Sequence, residues 1–201
     1  MTRYMNHNAV PAEDDKGVRE FPQPMSVWDH IDIAMVRDRI EWTSAPMVGG
    51  HMIQLGAGKK IIDGWDNIEY PEWDAMATES TRWRIPYESE SVGRVAIYHT
   101  LDHLADWAVV RALREIERVL EPGGVVTLIH PHYMGQLANE CLMHKTRYAI
   151  DTWRNVLSER QYDHAAEGGD GRPWKLHVGA NFIFGLTERN LVLVSQLHKE
   201  A

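Results

Sequence analysis

The chain has 201 residues, 44% of them hydrophobic, which is enough for one sizeable core and too short for two independent ones. Its formal charge of -8 disfavours nonspecific nucleic-acid binding, and no run of Lys or Arg supplies a local exception. Cys141 is the only cysteine, which excludes an intramolecular disulfide and fits a reducing compartment, so the cytoplasm is the expected location.

Residues 1–25 mix Asn, Pro, Asp, Glu and Lys without periodicity and hold no apolar core ahead of a small-residue cleavage site. They read as a flexible N-terminal arm before a single domain over 26–201. Ser26, with Asp29 three residues on, predicts a helix start, and Trp28, Ile31, Met35, Val36 and Ile40 give its apolar stripe. Pro46 and the pair Gly49-Gly50 end that segment. His51 to Leu55 then reads as a short buried strand, followed at once by the turn Gly56-Ala57-Gly58. Trp65 to Tyr70 and Trp73 to Ala77 are the next two strand candidates.

Val92 to His99 predicts another core strand. Val109, Leu113, Ile116 and Leu120 recur at helical spacing up to Pro122-Gly123-Gly124. Val125 to His130 is the following strand, and Asp151 is placed to cap a short helix presenting Trp153, Val156 and Leu157. The final strand candidates are Val178 to Leu186 and Leu191 to Leu197. This alternation predicts an open α/β sheet closed by a terminal hairpin. No apolar run approaches the ~20 residues that span a bilayer, so no membrane partner is expected.

Glycines at the carboxyl end of a first strand permit a tight turn and let a ligand approach the backbone, although a plain turn also explains Gly56 and Gly58. A dinucleotide fingerprint needs a third glycine three residues after Gly58. Ile61 stands there, so NAD and FAD are disfavoured, and with them a nicotinamide or nucleotide-sugar enzyme. Glu69 ends the second strand candidate, where an acid accepts hydrogen bonds from both hydroxyls of a ribose. Taken alone it reads more simply as an exposed carboxylate.

Four segments change that balance. The stretch from Leu55 through Gly56-Ala57-Gly58 and Gly64-Trp65 to Asn67-Ile68-Glu69 resembles the first motif of the small class I S-adenosylmethionine (SAM)-dependent methyltransferases, the methyltransferase type 11-like domains. Arg84-Ile85-Pro86-Tyr87-Glu88-Ser89-Glu90-Ser91-Val92 is similar to that family's Leu-Pro-Phe-x-Asp-x-Ser turn. His99-Thr100-Leu101-Asp102-His103-Leu104 is similar to its His-x-Leu-Glu-His-Leu, and Arg118-Val119-Leu120-Glu121-Pro122-Gly123-Gly124 to its Arg-Val-Leu-Lys-Pro-Gly-Gly. All four lie in the family's order within residues 52–130.

The resemblance implies a Rossmann-like fold: a mostly parallel seven-stranded sheet with an antiparallel last strand and helices on both faces. It also implies SAM as cofactor. Leu55, Gly56, Ala57 and Gly58 then pass beneath its methionine part, Glu69 holds the ribose, Ile85 flanks the adenine, and His99 and Thr100 lie near the sulfonium. Two positions depart from the family. Thr78 and Thr81 stand where an Asp commonly bonds the adenine amino group, and Gly93 or Arg94 replaces the usual Asp of the fourth strand.

Methyl transfer from a sulfonium is an in-line displacement that rests on positioning, and a base is needed only when the acceptor must lose a proton. In an open parallel sheet the reacting groups lie beyond the carboxyl ends of the strands. That rule points to His99, Asp102 and His103 after one strand and to His130, His132 and Tyr133 after the next. His130 and His132 are the base candidates because histidine titrates near neutral pH, with loop shaping as the alternative. His103, Tyr133, Lys145 and Arg147 are the acceptor-binding candidates, the two cations suiting an anionic group or simply a solvated loop. His130, His132, His144 and Asp102 are possible metal donors, but no His-Glu-x-x-His or Cys-x-x-Cys spacing occurs and no metal is expected. The predicted activity is methyl transfer to a small-molecule, nucleotide or glycan acceptor. The alternative is a SAM-fold scaffold that serves assembly rather than catalysis.

Overall fold

The computed structural model describes residues 12–13, 19–20, 50–58, 61–158, 172–184 and 191–201. The chain divides into two units, Met1–Ser44 and Ala45–Ala201. In the first, β1 (Ala12–Glu13) pairs antiparallel with β2 (Arg19–Glu20). The helix expected from Ser26 and the domain start at residue 26 lie outside the described residues.

The second unit is built on β3 (His51–Leu55), β4 (Asp66–Ile68), β5 (Val92–Tyr98), β6 (Leu120–Pro131), β7 (Leu176–Phe184) and β8 (Val192–Lys199). Their order across one sheet is β4-β3-β5-β6-β8-β7. The first four run parallel, and β8 runs antiparallel to both neighbours, as the resemblance implies for the last strand. Strands in the middle of such a sheet are covered on both faces, so they read as continuous apolar runs. Val92, Val95, Ala96 and Ile97 of β5 are accordingly buried, as are Val126, Leu128 and Ile129 of β6.

Helix α1 (Asp106–Val119) carries an apolar stripe of Ala108, Val109, Ala112, Leu113, Ile116 and Val119 into the core cluster that includes Val95, Ile97 and Leu128. It stops one residue short of the expected Leu120, which already pairs with Val92 as the first residue of β6. Gly123, at φ 80°, then makes the turn that β-branched residues resist. Short helices α2 (Gln136–Glu140) and α3 (Thr152–Leu157) follow β6. Asp151 precedes α3 without a side-chain capping bond and lies 3.7 Å from Arg154 instead.

Among the described residues six strands stand in the sheet where seven were expected. Trp73 to Ala77, read as a strand, is a compact turn whose polar groups are spent locally. Asp74 Oδ1 accepts from Met76 N at 3.0 Å, Asp74 N donates to Arg82 O at 2.9 Å, and Arg111 of α1 donates to Ala75 O. Trp73 anchors the turn by donating its indole N–H to Trp83 O at 3.0 Å. No described helix is long and apolar enough to cross a membrane.

The strand order leaves β3 toward β4 on one side and toward β5 on the other. The topological switch point, where the ligand crevice of open α/β sheets lies, is therefore between the carboxyl ends of β3 and β5.

Candidate functional site

The β3 side of this crevice is made of backbone. Gly56 and Gly58 both adopt positive φ, 67° and 56°. A Cβ on Gly56 would fall against Thr100 Oγ1 and 2.5 Å from Thr100 Cγ2, so only glycine lets the ends of β3 and β5 meet. Thr100 Oγ1 in turn donates to Tyr98 O at 3.1 Å, with Gly56 O at 3.3 Å. The turn is tied to β4 by Gly56 N donating to Ile68 O at 2.9 Å.

Glu69 closes the rim. Its Oε2 accepts from Gly58 N at 2.5 Å and its Oε1 from Tyr70 N at 3.0 Å, while the side chain stands at the exposed end of β4. Asn67 braces the connecting loop from inside: its Oδ1 accepts from Ile62 N at 2.9 Å and its Nδ2 donates to Ile62 O and Trp65 O at 3.0 and 2.7 Å. The Ile85–Tyr87 turn is fixed from α1. Buried Glu115 accepts from Ile85 N at 3.1 Å, and Arg118 donates to Ile85 O and Tyr87 O at 2.9 and 2.8 Å.

The β5 side is made of side chains. His99 follows β5 in a left-handed conformation, φ 52°, that non-glycine residues adopt at a cost of about 1 kcal/mol or more. A 3-10 turn over Leu101–His103 then brings Asp102 and His103 back beside it. The segment 144–146 is stitched to that turn by Lys145 N and Thr146 N, which donate to Asp102 O at 2.7 and 3.2 Å, and by Thr146 Oγ1, which donates to Leu101 O at 3.0 Å. His144 thereby joins the group. Nε2 of His99, His103 and His144 lie 3.1, 3.6 and 3.0 Å from one oxygen, Asp102 Oδ2.

Burial sets the protonation of this group. It pushes the Asp102 carboxyl up to about 7 and the His99 imidazole down to about 3, the latter helped by its neighbours His144 and His103. His103 and His144 are lowered for the same first reason. All four side chains are thus driven toward their neutral forms. Four nitrogen and oxygen donors within 4.8 Å of one another are also a set able to hold a metal ion.

Residues 65–128 match the family model described as a methyltransferase domain. The fold is that of the class I SAM-dependent methyltransferases. It is similar to that of a Bacillus halodurans C-125 protein described as a methyltransferase candidate, at 10% identity and TM-score 0.52, covering 85% of this chain and 99% of that one. A SAM-dependent methyltransferase of Mesorhizobium loti gives 15% identity and TM-score 0.47, with 77% and 93% of the two chains covered. The N-methyltransferase NodS of Bradyrhizobium japonicum WM9, solved with S-adenosyl-L-homocysteine, gives 11% and 0.45, with 75% and 67% covered. No curated protein matches.

Within this fold the sequence-predicted residues fall into three groups. Leu55, Gly56, Ala57, Gly58, Glu69 and Thr100 come together at the crevice, Leu55 buried as the last residue of β3. Ile85 stands apart from them, 1% exposed and packed into the core. The third group lies beyond β5 and β6. Tyr133 is 47% exposed and its N donates to Tyr148 O at 2.9 Å; Arg147 donates to Asn139 Oδ1 at 3.0 Å; Lys145 Nζ lies 3.4 Å from Met76 Sδ.

His130, a base candidate, is fully enclosed. Its ring stacks on Tyr148 at 4.3 Å and faces Trp153 at 5.5 Å, and burial drives its pKa down to about 3. His132 is nearly as covered, with Nδ1 accepting from Met134 N at 3.4 Å. Both rings read better as packing than as bases, because neither has open surface toward an acceptor. Trp174 also packs against the core, with the Arg114 guanidinium 3.6 Å above its ring. Of the departures from the family, Thr78 and Thr81 are exposed around the Ser80-capped turn, and Gly93 lies in the amino-terminal half of β5, against Gly50. Of the donors considered from the sequence, His144 and Asp102 do meet, but His99 and His103 join them in place of His130 and His132. The one sequence signal for that joining was the spacing His99-x-x-Asp102-His103, which a single helical turn folds onto one side.

Proposed function

We propose that this domain binds SAM across the ends of β3 and β5 and transfers its methyl group to a small-molecule, nucleotide or glycan acceptor. The observation that carries the reading is the glycine turn packed on Thr100 with Glu69 beside it, set at the switch point of a mostly parallel sheet with a reversed last strand. The sulfonium of the cofactor supplies an electrophilic methyl carbon, and the protein supplies alignment.

Glu69 is the ribose residue. Its two oxygens each retain lone pairs beside the bonds from Gly58 N and Tyr70 N, so both can accept from vicinal hydroxyls. The positive-φ backbone of Gly56 and Gly58 leaves no Cβ between the turn and a ligand lying along it. Thr100 holds the floor by bonding back to the strand ends. Tyr133, Lys145 and Arg147, with His103, form the acceptor side, where the two exposed cations favour an acceptor carrying negative charge.

Calorimetric titration with S-adenosylhomocysteine tests this. Micromolar binding, about 8 kcal/mol, that Glu69→Ala weakens at least ~30-fold is the expected result. Absence of binding by the folded natural chain at millimolar ligand overturns the reading.

A further inference from the structure

We propose that His99, His103, His144 and Asp102 are the ligands of a divalent transition-metal ion at the carboxyl end of β5. The inference does not rest on the cofactor reading. It begins from distances. A tetrahedral ion with ligands at about 2.0–2.1 Å has ligand-to-ligand edges near ~3.3 Å. The three edges from Asp102 Oδ2 to the imidazole Nε2 atoms are 3.0, 3.1 and 3.6 Å, and all four donor atoms lie within 4.8 Å of each other.

Hydrogen bonding within the cluster does not account for this packing. The Asp102 side chain is 3% exposed, yet among the described residues neither of its oxygens meets a hydrogen-bond partner, and neither does Nε2 of His144, itself 2% exposed. A buried carboxyl that accepts no hydrogen bond is costly, and the three imidazoles set edge to face around it, with centroids 4.8 to 5.2 Å apart, approach it without hydrogen-bond geometry. Lone pairs aimed at a common centre offset that cost once a cation sits there.

The outer shell is also present. His144 Nδ1 faces Ala138 O at 3.4 Å and His103 bonds to the backbone of Met143, contacts that orient each ring with Nε2 inward. His99 and His103 are 26% and 38% exposed, so an ion reaches the cluster from their side while His144 and Asp102 close the inner side. Three nitrogens and one oxygen favour zinc and its late first-row neighbours over magnesium or calcium.

The test uses the full chain stripped with chelator and titrated with Zn2+ by calorimetry and with Co2+ by visible absorption. The expected result is one ion per chain, intense low-coordinate Co2+ bands, and a rise in melting temperature. His144→Ala and Asp102→Asn should each weaken binding more than ~100-fold, while affinity for S-adenosylhomocysteine, read in a separate titration, changes little. If His144→Ala does not fold, the better-filling His144→Gln carries the same test. A folded natural chain that binds neither ion at millimolar concentration overturns the proposal. So does binding that none of these substitutions weakens, or a preference for Mg2+.

Discussion

The two walls of the crevice are built by different means. At the end of β3 the site is backbone: two positive-φ glycines, a tie to β4, and an exposed acid at the rim. At the end of β5 it is side chain: three imidazoles and a carboxylate drawn from two separate segments and largely buried. A backbone wall is rigid and tolerates little added volume, whereas a side-chain wall depends on the protonation and partners of each group. The first should fail through sterics, the second through electrostatics.

The largest expected effect lies on the backbone wall. Gly56→Ala must hold φ near 67° and push its methyl against Thr100, whose Cγ2 would be 2.5 Å away. We expect a loss of about 2–4 kcal/mol in urea unfolding, together with loss of S-adenosylhomocysteine binding. Pairing it with Thr100→Ala removes the nearest atoms and should recover part of the stability. About 1 kcal/mol should remain as the backbone cost alone. Full recovery by the double variant would mean that the positive φ carries no strain, and no recovery would mean that the contact with Thr100 is not what excludes a side chain.

The next effect sharpens the electrostatic side, using a histidine next to the cluster but not in it. His130 has a folded pKa depressed to about 3, burial being the first cause and the neighbouring His99 the second. Above pH 6.5 both folded and unfolded states keep it neutral, so it contributes no pH dependence. Below that value the unfolded chain takes up a proton that the folded chain refuses. Stability therefore falls by about 1.4 kcal/mol per pH unit as pH drops from 6.5 toward 3, and levels off below. His130→Phe preserves the stack on Tyr148 and removes this contribution, so denaturant midpoints measured with chelator present should decline less steeply with acid. His99, His103, His132, His144 and His198, also lowered by burial, retain the remaining slope. An unchanged slope in the variant would show that His130 is protonated in the folded chain.

The contrast also explains what was legible in the sequence. Glycine at 56 and 58 and an acid at 69 are demanded by local backbone conformation and by strand ends, and such demands leave their mark residue by residue. The core strands were legible for the same reason, as apolar runs with turn residues between them. Trp73 to Ala77 misled because its apolar residues do face the core, but Asp74 and Arg111 take up the polar groups a ladder would need. The His99 cluster was less legible still. His144 reaches Asp102 only because Lys145 and Thr146 bond back to a carbonyl far earlier in the chain, a long-range register that spacing does not encode. His130 attracted attention as a titratable residue at a strand end, and nothing local announced that Tyr148 and Trp153 would enclose it.

The smallest effect asks whether the backbone wall is held only by backbone. Asn67 is a side-chain brace within it, making three bonds to Ile62 and Trp65 across the loop that carries the glycine turn to β4. Each is part-buried, so truncation exposes the freed groups to water in part and the cost stays modest. Asn67→Ala should lose about 1–2 kcal/mol in thermal or urea unfolding. Because Glu69 follows two residues later at the end of the same strand, the variant should also weaken S-adenosylhomocysteine binding, by about 3- to 10-fold, through looser placement of the carboxylate. Metal titration should be unaffected, since the three bonds that Asn67 loses run to Ile62 and Trp65 and not to the cluster. A variant that binds S-adenosylhomocysteine as tightly as the natural chain would show that the glycine turn alone positions the rim.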